Sequence, residues 1–479
     1  MSKRTIINNL GKIVVVISLL MLIPMFISLG YGEKDDALRF LTVLVPAFIV
    51  GFLCSRVKCS TLHPRDGYVI VASAWIVISV ICAFPFYFSG AFSSYWAALF
   101  EIVSGFTTTG ASVLAKPEVL GHGMQFFRCF SHWIGGMGVL VFVLMLLPME
   151  NDTSMHLIRA EVPGPTAGKL VPRMKNTSRI LYGIYAAMTA ILAIVLVCEG
   201  MPLFDALCYA FGTAGTGGFG INSQGFSIYA NSHAIEYTIA IGMLLFGINF
   251  NIYFLIILKK LKAAFSNEEV KTYFGIVLAA VLAISINLYS TVGNFADAFR
   301  LSFFQVSSII TTTGFSTADF GMWPQFSQHL LVGLMIIGAC AGSTAGGMKV
   351  SRIIILWKSF IAEIKRAINP KQMMPLRVNG EVIENRALQG TKVYCVAYFF
   401  IVCLSILIMA LSELDFTTNV TAVLACFNNI GPGLSLVGPA ANYSVYADPF
   451  KVFLSLLMLT GRLEIFPMFM FFAKSAHDR

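Results

Sequence analysis

Four short runs of small and hydroxyl-bearing residues stand out as candidate chemistry: Thr107-Thr108-Thr109-Gly110-Ala111, Gly215-Thr216-Gly217-Gly218-Phe219, Thr311-Thr312-Thr313-Gly314-Phe315 and Asn428-Asn429-Ile430-Gly431-Pro432. A dehydrated monovalent cation needs several oxygen dipoles at close range, and backbone carbonyls supply them without adding net charge. Glycine lets the backbone take φ > 0 and come close to an ion or a neighbouring loop, while threonine adds a hydroxyl oxygen at the inner end. The residues expected to hold such an ion are Thr108, Thr109 and Gly110, then Thr216, Gly217 and Gly218, then Thr312, Thr313 and Gly314, and finally Asn429, Ile430 and Gly431. The loops are not identical. Gly217 and Ile430 stand where the first and third loops have Thr109 and Thr313, so hydroxyls come from at most two of four sides at that level, and moderate discrimination between cations is expected.

Each run follows a segment too short to cross a bilayer but long enough for three or four helical turns: Tyr95 to Phe106, Leu203 to Thr213, Phe299 to Ile310 and Phe416 to Phe427. A longer apolar stretch lies on either side. The unit span, half-helix, loop, span therefore repeats four times, after two opening spans at Ile13 to Leu29 and Arg39 to Cys54; such self-similarity is the first thing to seek in a long chain. Non-helical backbone at membrane depth is tolerated only where protein buries it or it lines a wet cavity, so four re-entrant loops imply a polar path among them. Two spans per repeat return the chain to the same side, which makes the repeats parallel. Each half-helix then aims its C-terminus, worth about −0.5 elementary charge, at the centre. The expected fold is an all-α polytopic membrane protein with four parallel span–pore-loop–span repeats around a central pore, preceded by two extra transmembrane helices. The expected divisions are 1–60, 61–160, 161–262, 263–380 and 381–479.

Composition excludes other classes. Of 479 residues, 57% are apolar and 12% charged, with a mean hydropathy of +0.78; soluble chains carry about twice that charge. Outer-membrane barrels show short alternating segments, unlike the long apolar runs here. The net charge of +9 does not point to nucleic acid, because most Lys and Arg residues sort into alternate loops, from Lys3, Arg4 and Lys12 through Lys259, Lys260 and Lys262 to the stretch between Lys349 and Lys392. That is the positive-inside pattern, and it places the N-terminus in the cytoplasm. The basic loops Glu150 to Arg179 and Lys349 to Lys392 are the only stretches large enough to offer a cytoplasmic surface. The ten cysteines form no CxxC pair and read as packing residues. The first apolar run is too long for a signal-peptide core and lacks a clear A-x-A site, so it reads as a retained anchor.

The four loops, together with Trp133-Ile134-Gly135-Gly136-Met137-Gly138, resemble the Trk/Ktr/HKT superfamily of potassium transporters, most closely its bacterial TrkH/TrkG branch, over the whole chain. The resemblance implies a filter whose glycines are Gly110, Gly218, Gly314 and Gly431, with K⁺ and Rb⁺ preferred over Na⁺; a serine at the first of these accompanies Na⁺ transport in plant relatives. It also implies a bacterial inner-membrane location, a homodimer, and a cytosolic TrkA-like regulatory subunit that binds NAD and ATP. A second region is Gly338-Ala339-Cys340-Ala341-Gly342-Ser343-Thr344-Ala345-Gly346-Gly347-Met348-Lys349. Each glycine costs a helix ~1 kcal/mol relative to alanine, so a flexible break is expected within the second span of repeat three; close packing through small residues is the alternative. In the family this region matches an intramembrane gate, with Gly342, Ser343, Thr344, Ala345, Gly346 and Gly347 forming it and Lys349 at its inner end. Arg462 lies in the last span, where a charge costs about 2.5–3.5 kcal/mol at the bilayer centre. It is expected to face the pore as a barrier to cations, as the matching family arginine does; the alternative is a salt bridge with a local acid, although Glu464, two residues away, falls on another helix face.

Other patterns carry less. Gly215-x-Gly217-x-x-Gly220 lacks the strand of a dinucleotide-binding unit, and Gly342-x-x-x-x-Gly347 is followed by Met348 where a phosphate loop needs lysine, so no organic cofactor is expected; K⁺ is the transported ion, membrane lipid the surrounding partner, and no nucleic acid is expected. The seven histidines lack metal-ligand spacing. Glu101 and Asp297 are either mouth charges that attract cations or packing partners. The leading function is a gated passive K⁺ pathway. An H⁺- or Na⁺-coupled symporter working by alternating access is the alternative, although the inverted repeats and intramembrane acids usual there are not evident. A membrane enzyme would need a buried nucleophile, metal cluster or acid pair, and none stands out.

Overall fold

Apolar runs punctuated by capping residues give a succession of helices. The structure, a computed structural model, describes residues 3–58, 64–138, 174–229, 232–369 and 375–472. The opening pair consists of α1 (Lys3–Leu20) and α2 (Leu22–Gly30), which together make one broken span, and α3 (Lys34–Ser55). Repeat one follows with α4 (Pro64–Phe88), the half-helix α5 (Tyr95–Phe106) and α6 (His122–Gly136). Repeat two has α7 (Met174–Cys198), the half-helix α8 (Leu203–Gly215), α9 (His233–Phe246), α10 (Phe250–Ile257) and the short α11 (Leu261–Phe265). Repeat three has α12 (Glu268–Val292), the half-helix α13 (Phe295–Ile310), α14 (Gln325–Ile337) and α15 (Val350–Ile368). A hairpin of β1 (Arg377–Val378) and β2 (Glu381–Val382) precedes repeat four, which has α16 (Asn385–Met409), the half-helix α17 (Phe416–Phe427), α18 (Asp448–Arg462) and α19 (Ile465–Phe472).

Among the described residues six helices, or seven with the bent α9–α10 pair, are long and apolar enough to cross a membrane. The half-helices are not. Twelve residues, as in α5 and α17, reach about 18 Å against a hydrocarbon core of about 30 Å. Three of the four starts carry side-chain caps: Ser94 accepts the Ala97 N–H, Asn294 the Ala296 N–H and Asp415 the Thr418 N–H. The Asn294 cap starts α13 at Phe295, a turn earlier than expected from sequence.

Each half-helix packs between the two spans of its own repeat and also against the second span of the preceding one: α8 on α6, α13 on α9, α17 on α14 and α5 on α18. The last of these contacts closes the repeats into a ring around one axis. The opening helices lie outside that ring, with α1 and α3 against α4 and α2 against α6.

Three features depart from the sequence expectations. The stretch from Lys349 to Lys392 is not a loop: α15 resumes the broken span, and Lys349 and Arg352 are buried inside the bundle at 3% and 6% exposure. The Asn379-Gly380 turn, with both φ positive at 54° and 81°, forms the two-stranded hairpin, since such dipeptides favour type I′ turns. And the second spans of repeats two and four break as well as that of repeat three, α10 turning 89° from α9 and α19 following α18 after Leu463 and Glu464. Of the basic loop Glu150 to Arg179, residues 150–173 lie outside the described residues, as do the divisions at 60 and 160.

Candidate functional site

The four half-helices end in the same backbone motif. At the C-terminus of α5 the Thr109 N–H donates to Ser104 O and the Thr108 N–H to Gly105 O; the counterparts are Gly217 to Gly212 and Thr216 to Thr213, Thr313 to Ser308 and Thr312 to Ile309, Ile430 to Ala425 and Asn429 to Cys426. This is a Schellman termination, which requires a left-handed residue after the helix. Here that residue is Thr108, Thr216, Thr312 or Asn429, with φ of 56°, 55°, 57° and 57°. β-Branched residues rarely adopt φ > 0, and held strain of this kind clusters at functional sites. Two residues on, φ is positive again at Gly110, Gly218, Gly314 and Gly431. Alternation of backbone hand turns successive carbonyls toward one side, the arrangement an ion-coordinating strip needs.

The glycines also fix the spacing between loops. A Cβ on Gly110 would lie 2.0 Å from Gly217 O, one on Gly218 1.9 Å from Thr313 O, one on Gly314 2.0 Å from Ile430 O, and one on Gly431 2.7 Å from Thr109 O. Each loop thus abuts the carbonyl before the glycine of the next, and the fourth returns to the first. A cavity of about 150 Å³ opens onto this ring and is lined by all four glycines, with Ser112, Ser316 and Tyr443 among its walls. At the level of Thr109 and Thr313 the hydroxyls bond Thr107 and Thr311 at 2.8 Å, each anchored to its own half-helix. Those two hydroxyls serve the wall, so the carbonyls are what the four loops share there. The Thr108 hydroxyl and Asn429 Oδ1, one level deeper, are buried without a hydrogen-bond partner.

The sequence profile of the TrkH family, described as a cation transport protein, matches residues 37–478. The chain belongs to that family. It is similar to the Trk system potassium uptake protein TrkG of Escherichia coli (strain K12), with 32% identity over 98% of both chains, and to the Trk system potassium uptake protein TrkH of Salmonella typhimurium, with 33% identity over 98% of both. The crystal structure of the potassium transporter TrkH from Vibrio parahaemolyticus superposes with a TM-score of 0.89 at 30% identity, covering all of each chain. The TrkH family is one of transport proteins rather than enzymes.

Beneath the ring of this TrkH-family chain lies residues 338–349. The segment is a loop, with left-handed backbone at Gly338, Gly342, Gly347 and Lys349, and it fits directly under loops three and four. The Gly346 N–H donates to the Thr312 hydroxyl at 2.7 Å, and a Cβ on Gly346 would meet Asn428 O at 2.2 Å. Arg462 reaches across it, donating to Thr344 O at 2.7 Å and to Gly135 O and Gly136 O at 2.6 Å each. The Glu464 carboxylate instead receives Arg352, at 2.7 and 2.8 Å, while the Arg352 guanidinium lies over the Tyr394 ring. The Lys349 ammonium donates to Ala345 O within the loop. Gly342, Ser343, Thr344, Ala345, Gly346, Gly347, Lys349 and Arg462 are therefore brought together at the base of the ring.

Several supporting residues escaped the sequence. Glu101 is not a mouth charge: it is fully buried, pairs with Arg128 at 2.6 Å, and accepts the Ser112 hydroxyl and the Val113 N–H at 2.9 Å. Arg128 extends the brace to loop two, covering the Phe219 ring and donating to Gly220 O. Gln305 occupies the equivalent place in repeat three and receives Ser316, so alignment of the repeats could have flagged both. Asp297 is half-exposed and contacts Arg300. His132 is buried, bridging Gly105 O and the Phe219 N–H; accepting from that N–H leaves its proton on Nδ1. The Gly135-Gly136 pair of the sequence motif lets α6 touch Phe106 O and Gly215. Tyr443 joins loops one and four through Ser112 O and Gly431 O. Among the described residues no His, Cys, Asp or Glu cluster could hold a metal.

Proposed function

We propose that this chain carries potassium ions across the bacterial inner membrane through the ring of four loops, taking K⁺ and Rb⁺ in preference to Na⁺. The observation that carries the reading is the cyclic fit of Gly110, Gly218, Gly314 and Gly431 against one another's neighbouring carbonyls, repeated on four equivalent helix ends. Relatives named as Trk system potassium uptake proteins along the full chain support the same cation. In this reading Thr108, Thr216, Thr312 and Asn429 form the inner end of the filter, residues 342–347 with Lys349 act as a gate, and Arg462 sets an electrostatic barrier below it. The loop occupies the space directly under the ring, and Arg462 holds it there. The repeat divisions at 61, 161, 263 and 381, a homodimer, a cytoplasmic N-terminus and a cytosolic NAD- and ATP-binding subunit belong to the same proposal and rest on charge placement and on the family resemblance. The chain itself is taken to need no organic cofactor.

The test is Rb⁺ uptake into proteoliposomes containing only this chain, with K⁺ trapped inside and H⁺ and Na⁺ gradients abolished. Uptake competed far better by K⁺ than by Na⁺ is expected. Uptake that appears only with an imposed proton gradient would replace the passive pathway with coupled symport.

A further inference from the structure

The connector between repeats two and three is tied to the intramembrane loop at both of its ends. At its start, the bend after α9, Phe246 O accepts the Thr344 hydroxyl at 3.3 Å, Gly247 O accepts the Cys340 N–H at 3.1 Å, and the Phe250 N–H donates to Gly342 O at 3.0 Å. At its end, buried Glu269 on α12 accepts the Ala341 N–H at 2.7 Å and the Ser351 N–H at 3.2 Å through one oxygen. Four hydrogen bonds therefore join the loop, and a fifth the first turn of α15, to the two ends of one strap, α10 and α11.

The strap has the character of an interfacial segment. α10 leaves α9 at 89°, a turn that would lay α10 near the bilayer plane where α9 runs along the normal. Ile257, Leu258, Leu261 and Phe265 are exposed, at 60%, 48%, 50% and 72%, and Lys259, Lys260 and Lys262 are exposed among them. Among the described residues no carboxylate pairs with these three ammonium groups. Exposed apolar side chains interleaved with lysines that have no carboxylate partner are the chemistry of binding to anionic lipid.

We propose that α10–α11 is a lipid-sensing strap: anionic phospholipid headgroups seat Lys259, Lys260 and Lys262, hold the right-angle bend, and so keep the Phe246–Phe250 and Glu269 contacts that fasten the loop beneath the ring. The inference rests on the reading of residues 342–347 as a gate. Seating favours the fastened form because only the bent chain presents Phe246 O, Gly247 O and the Phe250 N–H to the loop. A ligand shifts such an equilibrium only through its different affinity for the two forms, and the free lysines supply that difference.

The experiment compares the parent chain with the triple variant Lys259→Gln, Lys260→Gln, Lys262→Gln, and with a chain lacking residues 342–347. Rb⁺ flux is measured in vesicles of phosphatidylcholine alone and of phosphatidylcholine with phosphatidylglycerol at about 7:3, where surface charge attracts basic segments. The parent is expected to pass Rb⁺ about threefold more slowly in the anionic vesicles, and the triple variant to pass it equally in both. In parallel, the melting midpoint of detergent-solubilised protein is read with each lipid added, since a ligand bound to the folded state raises it. Phosphatidylglycerol should raise the parent's midpoint more than phosphatidylcholine does, and the triple variant should lose that excess. Equal flux of the parent in both lipids, or a triple variant that keeps both responses, overturns the proposal. If the loop deletion fails to raise flux in either lipid, the gate reading fails instead, and the melting comparison still decides whether the strap binds anionic lipid.

Discussion

At the residue scale, the ring depends on what glycine lacks. A methyl group on Gly218 would sit 1.9 Å from Thr313 O on a backbone with φ of 75°, so Gly218→Ala must push two loops apart. Rb⁺ uptake is expected to fall about tenfold or more, or to lose its preference for K⁺ over Na⁺, because both strain and displacement act on the same carbonyls; competition assays in proteoliposomes distinguish the two. Arg462 acts in the opposite sense. Its contacts with Thr344 O and with Gly135 O and Gly136 O tie the loop to α6 and place a positive charge below the ring, so Arg462→Ala should raise flux severalfold, and unchanged flux in folded protein would remove its barrier role. Glu101 has a structural task. Breaking one partner of a fully buried ion pair costs roughly 3–5 kcal/mol, so Glu101→Ala should lower the melting midpoint while Arg128 is left unpaired beside Phe219.

At the scale of elements, the common design is a short helix with a left-handed end, and a second span that stops where it meets that end. Gly135 abuts Phe106 O and Gly461 abuts Phe427 O, so the second spans of repeats one and four pass the neighbouring half-helix ends with no room for a side chain. Removing residues 342–347 should leave the ring and open the space beneath it, and a large cation leak measured by Rb⁺ flux is expected. A second element-level prediction concerns the opening helices. Glu33, between α2 and α3, is partly buried, which pulls its carboxyl up, yet hydrogen bonds from the His122 ring and from the His122 and Gly123 N–H groups outweigh that and hold it below the usual value. A depressed carboxyl stabilises the fold above its ordinary range and loses that contribution as pH falls through the folded value. The grip of α2–α3 on α6 should therefore weaken in acid, below about pH 4.5, and thermal melts of the parent against Glu33→Gln should show a smaller acid dependence in the variant.

At the scale of the whole molecule, four repeats closed into a ring leave one axis and one place where all four loops meet. Each half-helix leans on the second span of the preceding repeat, so the position of any loop is set by two repeats at once. Disturbance of one interface should thereby be felt around the ring, in spans and connectors as well as in the loops. The strap of α10–α11 and the α12 terminus extend that control to the membrane surface, through contacts that hold residues 338–351 from two directions.

The number of repeats, the half-helices and the four loops were legible from sequence, because hydropathy, segment length and glycine are local properties that the bilayer turns directly into structure. The boundaries of α5 and α17 followed for the same reason. The left-handed Thr108, Thr216, Thr312 and Asn429, the breaks in the second spans of repeats two and four, and the burial of Lys349 and Arg352 were not legible. The left-handed turns close on the last turn of their own half-helix at residues that rarely take φ > 0; the breaks and the burial depend on partners distant in the chain, such as Phe427 O for Gly461 and Glu464 for Arg352. The chemistry of Glu101 was open for the same reason, since a carboxylate in a half-helix serves a cation or an arginine according to what the neighbouring span brings, and here α6 brings Arg128. Sequence determined that oxygen-rich loops enter the membrane four times; only the tertiary packing decided which oxygens face one another, because close approach between loops is fixed by helices that meet far apart in the chain.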